Sequence, residues 1–221
     1  IAIPSACILI EPDLGTAVLV ATSGLFIICL SGIRLRLIAS GLLACIMASP
    51  ILWHFMHHYQ KMRVLTFLNP ERDPLGKGYH IIQSEIAVGS GGLLGKGFLQ
   101  GTQSHLQFLP THTTDFIFSV LAEEWGFVGC MLLLLTYGVI ILRCLQITLG
   151  AQVRFERLLS GSLACAFTFS ALINIAMVIG LVPVVGVPLP LVSYGGSSLL
   201  AFMAGFGIIM SINSHKKLLP S

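Results

Sequence analysis

Charged residues are scarce in this chain, and their scarcity excludes an ordinary water-soluble domain. Asp, Glu, Lys and Arg make up 10% of the 221 residues, whereas hydrophobic residues make up 55%. A chain with this balance is more compatible with lipid than with water, so the composition predicts an integral membrane protein. The formal net charge is only +3 and no basic stripe is present, so nucleic acid is not an expected partner.

Two familiar motifs are also missing. The six cysteines lie in or beside apolar runs and form no Cys-x-x-Cys pair, which argues against a disulfide framework or a thiolate metal site. The glycine-rich stretch Gly89–Gly101 lacks the spacing of a P-loop, because Ser90 stands five residues before Gly95 and Gly97 follows Lys96. The stretch could still form an anion nest beside Lys96. A turn packed close to other backbone is the preferred interpretation.

Long apolar runs are what the chain has in abundance. A helix needs about 20 apolar residues to cross the hydrocarbon core, and five runs qualify: Leu14–Ser31, Leu35–Met56, Phe116–Leu142, Leu158–Val182 and Leu191–Ile212. Residues 1–10 resemble the last turns of a further helix that starts upstream. We therefore expect an all-α polytopic membrane protein, with a truncated first helix and two full ones in residues 1–56, a large loop in 57–115, and three helices and a tail in 116–221.

The basic residues predict the orientation of this bundle. Alternation of the spans places on one side Arg34, Arg36, Arg143, Arg154, Arg157, Lys216 and Lys217. The positive-inside bias identifies that side as the cytoplasm, so the C-terminus is expected there. The loop at 57–115 then faces outward, and a loop of this length is usually functional. Within it, the spacing of Ile81, Ile82, Glu85 and Ile86 predicts a short helix on the outer surface or interface.

Asp115 is the acid whose position most needs an explanation. It precedes the apolar run that starts at Phe116, where outer water meets lipid, and a carboxylate there is costly and usually functional. A helix cap would also explain an acid at this point. Capping does not explain Glu123 and Glu124 about two turns deeper, or Asn174 in a facing span. Polar groups of this kind beside an outward cavity suit a proton path, an ion path or an acid–base site.

The last apolar run is predicted to be broken between Val184 and Ser198 by prolines and paired glycines, with small hydroxyls lining the break. Lipid tolerates such irregular backbone only where protein or a water-filled cavity satisfies it. A substrate cavity near the outer leaflet is one interpretation, and a kink packed by small residues is the other. Three function classes stay open at this point: a transporter or flippase, an enzyme acting on a lipid-borne substrate, and a scaffold.

Five motifs in order resemble the SEDS family of bacterial membrane proteins, and within it the elongation (RodA-type) branch rather than the division (FtsW-type) branch. They are Glu11–Ala17, Asn69–Ser84, Ala87–Gly97, Thr114–Glu124 and Pro183–Ser197. The resemblance implies the family's ten-helix bundle, with this chain similar to its C-terminal part. Thr111 and Thr113 stand where many members carry Glu and His, and Gln107 where some carry an acid. These departures leave Asp115 as the only acid of its stretch.

The resemblance also implies a function, namely a peptidoglycan glycosyltransferase that polymerises lipid II at the outer face of the bacterial cytoplasmic membrane during elongation and rod-shape maintenance. Its implied partners are a class B penicillin-binding protein and other membrane proteins of the elongation complex. A lipid II flippase or a non-catalytic scaffold is the alternative.

The implied roles of the residues follow from that chemistry. Asp115 matches the family's essential aspartate and would accept the proton of the acceptor's 4-hydroxyl. The departing polyprenyl pyrophosphate needs positive charge, supplied by a divalent cation (Mg²⁺ or Mn²⁺) with unknown ligands or by protein cations. No organic cofactor is expected. The expected substrate-binding residues are Lys96, Arg63, Arg72, His112, Ser193, Tyr194 and Ser197.

Overall fold

The computed structural model describes residues 14–32, 58–69, 77–101 and 114–214, together with the scattered positions 4, 5, 7, 8, 36, 40, 41, 43, 47 and 54. Most of the expected span Leu35–Met56 lies outside these ranges. The same is true of two expected site residues, Arg72 and His112, and of the tail lysines. The predictions that concern them stay predictions.

Every regular element in the described ranges is a helix, which confirms the all-α fold class. The helices are α1 Leu14–Leu30, α2 His58–Leu68, α3 Lys77–Ser90, α4 Ile117–Leu149, α5 Arg154–Val178 and α6 Gly196–Ser214. Among them α4, α5 and α6 are long and apolar enough to cross a membrane, and α1 is a shorter apolar helix. The chain is therefore a multi-pass membrane protein.

The bounds of α4, α5 and α6 differ from the apolar runs. Helix α4 continues seven residues past Leu142, and α5 is shifted to begin at Arg154 and to end at Val178. Apolar runs mark only the part of a helix that suits lipid, whereas polar helix formers extend it into the interface. The expected start of the last span at Leu191 is wrong, because α6 begins at Gly196. Leu191 has a φ of 64°, which a helix cannot accommodate.

Helix α5 lies at the centre of the described bundle, in contact with α1, α3, α4 and α6. Its Phe167 is 1% exposed and packs edge to face against three rings, with centroids 5.4 Å from Tyr137, 5.8 Å from Phe202 and 5.2 Å from Phe206. Aromatic rings prefer this arrangement because the positive ring edge meets the negative ring face. The contacts join α4, α5 and α6 into one core.

The segment between α5 and α6 is fixed to that core. The hydroxyl of Tyr137 on α4 donates a hydrogen bond to the carbonyl of Pro190 at 2.5 Å, and Leu189 is buried in the core cluster. A buried phenol needs such a partner, and an irregular segment in a membrane protein needs its carbonyls satisfied. We call residues 183–195 the connecting segment. It is a packed part of the bundle.

The predicted helix in the outer loop is confirmed as α3. Its Ser84 is fully buried and donates to the carbonyl of Val178 at the end of α5 at 2.9 Å. His80, one turn earlier, has its ring centroid 6.4 Å from that of Phe116, just before α4 begins. Helix α3 therefore packs where α4 begins and α5 ends.

Candidate functional site

Asp115 lies in a turn formed by residues 114–116, directly before α4. Phe116 occupies the N-cap position and the helix proper starts at Ile117, so Asp115 is neither the N-cap residue nor part of the first turn. Asp115 thus lies one residue before the N-cap position, and the N-cap residue Phe116 makes no side-chain cap hydrogen bond. Phe116 is 2% exposed and anchors the turn in the core, whereas Asp115 itself is only partly buried.

Two side chains hold this turn against the connecting segment. Asn174 of α5 is fully buried, and its Nδ2 donates to the carbonyls of Asp115 at 2.8 Å and Val187 at 2.7 Å. Ser193 donates from Oγ to the carbonyl of Thr114 at 2.5 Å and accepts a bond from the backbone N–H of Leu189 at 2.7 Å. Asn174 and Ser193 are thus engaged in fixing backbone at this turn.

The Asp115 carboxylate itself faces the connecting segment. A Cβ added at Gly186 would lie 3.7 Å from Asp115 Oδ2, which is ordinary van der Waals contact. Gly186 has a φ of 76°, a conformation that favours glycine and turns the segment back toward α4. Asp115 is therefore enclosed on one side by this turn.

An open, mainly apolar groove of about 540 Å³ adjoins the turn. It is lined by Ile117 at the start of α4, by residues 191–196 and by Leu199 of α6. Two expected site residues, Ser193 and Tyr194, lie in this lining, and Tyr194 is 82% exposed. Ser197 is exposed at the first turn of α6. The helix break therefore combines both interpretations: Leu189 and Pro190 pack on the core, whereas residues 191–196 line the groove.

A second irregularity lies further along α4, at Gly126, whose backbone is non-helical with φ 64° and ψ −159°. The break frees the carbonyls of residues 123 and 124 and the N–H groups of residues 127 and 128 from the helix ladder. The glycine-rich turn satisfies all four: Lys96 and Gly97 donate to the two carbonyls, and the two N–H groups donate to residues 92 and 93, at 2.9 to 3.2 Å. This confirms that the glycine-rich stretch is a turn packed on other backbone.

Lys96 also forms an ion pair across this break. Its Nζ lies 2.7 Å from Oε1 of Glu123, which is fully buried, while the Lys96 side chain is 30% exposed. Glu124 is 8% exposed. A buried carboxylate needs such a partner, since an unpaired charge there is very costly. The ammonium expected to serve the substrate is thus paired with an acid of the protein.

Three further residues lie around the connecting segment and the Asp115 turn: the expected cation Arg63, and Asn174 and His80, which were not among the expected site residues. Arg63 of α2 lines a small pocket with Ile81 and Val184, next to the connecting segment. Asn174 was noted only as a polar residue in a span, and His80 only as part of a motif. The Nδ1 of His80 is buried without a hydrogen-bond partner in the described part of the chain. An intramembrane amide was the one signal that could have singled out Asn174.

The described residues contain no group of three or more His, Cys, Asp or Glu side chains that could hold a metal ion. They therefore do not form a metal site from protein ligands alone. Mg²⁺ in particular is often held by one or two carboxylates together with substrate phosphates. A single acid such as Asp115 is compatible with that mode.

Comparison with known proteins gives a consistent picture. The family described as "Cell cycle protein", which comprises FtsW, RodA and SpoVE, matches residues 1–218. The peptidoglycan glycosyltransferase MrdB of Escherichia coli K12 is 56% identical over 217 residues, which are 98% of this chain and 59% of that protein. The chain thus spans about three-fifths of the length of this relative.

Solved structures agree with this relationship. A chain of a peptidoglycan synthase complex, described as coordinating polymerization and crosslinking, is 38% identical, with a TM-score of 0.77 over 95% of this chain and 58% of that one. The rod shape determining protein RodA of Thermus thermophilus is 29% identical, with a TM-score of 0.61 over 96% of this chain and 54% of that one.

Proposed function

The chain belongs to the FtsW, RodA and SpoVE (SEDS) family and is RodA-like, and from this premise we propose that the full-length protein is a peptidoglycan glycosyltransferase. Its substrate would be lipid II, polymerised into glycan strands at the outer face of the bacterial cytoplasmic membrane during elongation. The relative at 56% identity carries the name of that activity. The observation that supports the proposal best is a partly exposed carboxylate in a turn that Asn174 and Ser193 hold near an open apolar groove.

Asp115 is the proposed general base. As the acceptor's 4-hydroxyl oxygen attacks the anomeric carbon of the donor, the bond from that carbon to the pyrophosphate oxygen breaks and the hydroxyl proton moves to the Asp115 carboxylate. A base needs hydrogen-bond reach to the hydroxyl, about 2.6–3.2 Å. Glu123 is unsuited to this role because it is fully buried and paired with Lys96. The groove at Tyr194 supplies an apolar surface for a lipid-borne substrate.

The leaving pyrophosphate requires positive charge. Among the described residues, Arg63 beside the connecting segment and Lys96 beside Glu123 are the candidate cations. A divalent cation, Mg²⁺ or Mn²⁺, stays part of the proposal; it would be held mainly by pyrophosphate oxygens and would stabilise the developing phosphate charge. Arg72, His112 and Ser197 stay predicted substrate contacts.

Partners and orientation complete the proposal. A class B penicillin-binding protein would supply the transpeptidase, which is supported by similarity to a chain of a complex that coordinates polymerization and crosslinking. Other membrane proteins of the elongation complex would assemble beside it. The C-terminus would be cytoplasmic, as the distribution of basic residues predicts.

The test uses the purified full-length protein with its penicillin-binding partner and fluorescent lipid II in detergent, where no second leaflet exists. We expect glycan strands that a muramidase degrades, and none from Asp115→Asn. Asn replaces the carboxylate by an amide of the same shape that cannot accept the proton. Glu156→Gln, an acid-to-amide change at the other end of the bundle, serves as the matched control and should remain active.

Two outcomes would contradict the proposal. Strand synthesis by folded Asp115→Asn would remove the base from the mechanism. Absence of synthesis by the wild-type complex, together with transfer of lipid II between leaflets in vesicles, would favour a flippase. If neither activity occurs, the scaffold alternative is favoured.

A further inference from the structure

Asp115 lies outside the regular hydrogen-bond ladder of α4, so helix geometry alone does not fix its backbone. The turn at 114–116 precedes the first residue of the helix. A catalytic carboxylate in a turn needs other constraints, since a displacement of about 1 Å at a reacting group can cost on the order of 100-fold in rate. The structure shows where such constraints come from.

The first constraint is the side-chain amide of Asn174. The amide has two N–H groups, and both are used: one bond goes to the carbonyl of Asp115 at 2.8 Å and the other to the carbonyl of Val187 at 2.7 Å. Asn174 is fully buried on α5, in the centre of the bundle. It therefore ties the backbone of the proposed base, the connecting segment and the central helix together at one point.

The second constraint is the hydroxyl of Ser193. It donates to the carbonyl of Thr114 at 2.5 Å and accepts from the backbone N–H of Leu189 at 2.7 Å. The two side chains thus hold two successive carbonyls of the Asp115 turn, and both connect that turn to the stretch 187–189. Gly186, which the Asp115 carboxylate faces, directly precedes that stretch.

We infer that Asn174 and Ser193 are positioning residues, which set the place of the Asp115 carboxylate relative to the groove by joining its turn to the connecting segment. This inference rests on the proposed function, because it assigns the residues to the same reaction. Both act through the backbone of the Asp115 turn. Ser193 was expected to bind substrate, but its hydroxyl already donates and accepts within the protein.

The experiment compares three substitutions in the full-length complex. Asn174→Asp keeps the shape of the side chain but replaces its NH₂ group, which donates both bonds, by an oxygen. An ionised carboxylate only accepts hydrogen bonds. Asn174→Leu removes the polar atoms at similar volume. Ser193→Ala removes one hydroxyl and carries little risk of misfolding. Ser160→Ala is the matched control, because Ser160 is fully buried on α5 and its hydroxyl bonds to the carbonyl of Glu156 in its own helix.

We measure kcat and KM for lipid II, normalised to the monodisperse complex recovered from size-exclusion chromatography. For the two Asn174 variants we expect kcat to fall on the order of 100-fold, and for Ser193→Ala about tenfold. KM should stay within about twofold in all three, since the groove lining is unchanged apart from one hydroxyl. Ser160→Ala should retain wild-type kcat.

The inference is overturned if Ser193→Ala and either Asn174 variant keep wild-type kcat. It is also overturned if the fall in total activity of a preparation matches its loss of folded complex, because a purely structural role has that effect. It is also overturned if KM rises while kcat holds, because that pattern indicates substrate contact. Should the Asn174 variants fail to fold, Ser193→Ala decides alone. The proposed function has a separate test, because strand synthesis by a folded Asp115→Asn variant would contradict it.

Discussion

The start of α4 at Asp115 and the break in α4 at Gly126 pose the same structural problem and solve it with different segments. At each point helical backbone ends and leaves polar groups unpaired by the helix. At the start, the side chains of Asn174 and Ser193 donate to the carbonyls of Asp115 and Thr114, which lie in the turn before the helix ladder. At the break, the glycine-rich turn satisfies four backbone groups through its own backbone.

The two regions differ in what happens to the nearby acid. Glu123 is fully buried and its charge is balanced by Lys96 at 2.7 Å. Asp115 keeps part of its surface exposed beside an open groove. Two acids eight residues apart in sequence therefore lie in different surroundings, one buried in an ion pair and one partly exposed. The predictions below test this division from the largest expected effect to the smallest.

Gly95→Ala should have the largest effect on stability. Gly95 has a φ of 78°, and a Cβ there would overlap the carbonyl oxygen of Glu124 across the break. Strain at positive φ and overpacking together should cost about 3 kcal/mol or more. The midpoint of thermal unfolding in detergent measures the loss. Gly138→Ala on α4 is the control, because a Cβ at Gly138 meets nothing within 4 Å. This variant should unfold at the wild-type temperature or above.

Lys96→Met should be the next most damaging change, because it leaves the buried Glu123 carboxylate without its cation. Removing one member of a buried pair costs about 3 kcal/mol, and thermal unfolding is again the measurement. The double variant Lys96→Met with Glu123→Gln should recover much of the loss, since no charge stays buried. If the double variant is instead as unstable as the sum of the two single ones, the pair is not what stabilises the break.

Tyr194→Ala should have the smallest effect on stability. It tests the region at the start of α4, where Tyr194 lines the groove. Because Tyr194 is 82% exposed, its removal should change stability by less than about 0.5 kcal/mol. If the groove binds a lipid-borne substrate, KM for lipid II should rise about threefold, as for loss of one aromatic contact. Leu200→Ala, at a 73% exposed position on α6, is the control. An unchanged KM would remove Tyr194 from the substrate-binding residues.

Much of the fold was predictable because membrane helices are specified locally. Apolar length predicted α4, α5 and α6, and spacing predicted α3 in the outer loop. The errors lie at the helix ends, where hydropathy no longer determines whether a residue is helical. Leu191 was placed in a helix because it is apolar, but its positive φ and the prolines before it delay α6 to Gly196.

The site was predictable in part. Family motifs singled out Asp115, Ser193 and Tyr194, which the structure brings to one side of the bundle. They gave no sign that Lys96 pairs with an acid 27 residues away, or that Asn174 reaches a carbonyl 59 residues away. Such pairings depend on how helices pack, and a sequence pattern within one segment carries no information about them.

By itself, the sequence determined that lipid is the solvent of this chain and that its backbone forms helices, because unpaired backbone groups are too costly in hydrocarbon. It also predicted that several acids and small hydroxyls lie near the outer surface. Only the tertiary structure decided that Glu123 is buried against Lys96 and that Asp115 stays partly exposed. The reason is that the cost of a buried charge depends on the partners that packing brings within hydrogen-bond distance: Glu123 meets Lys96 at the break, while Asp115 faces the turn at Gly186 beside the open groove.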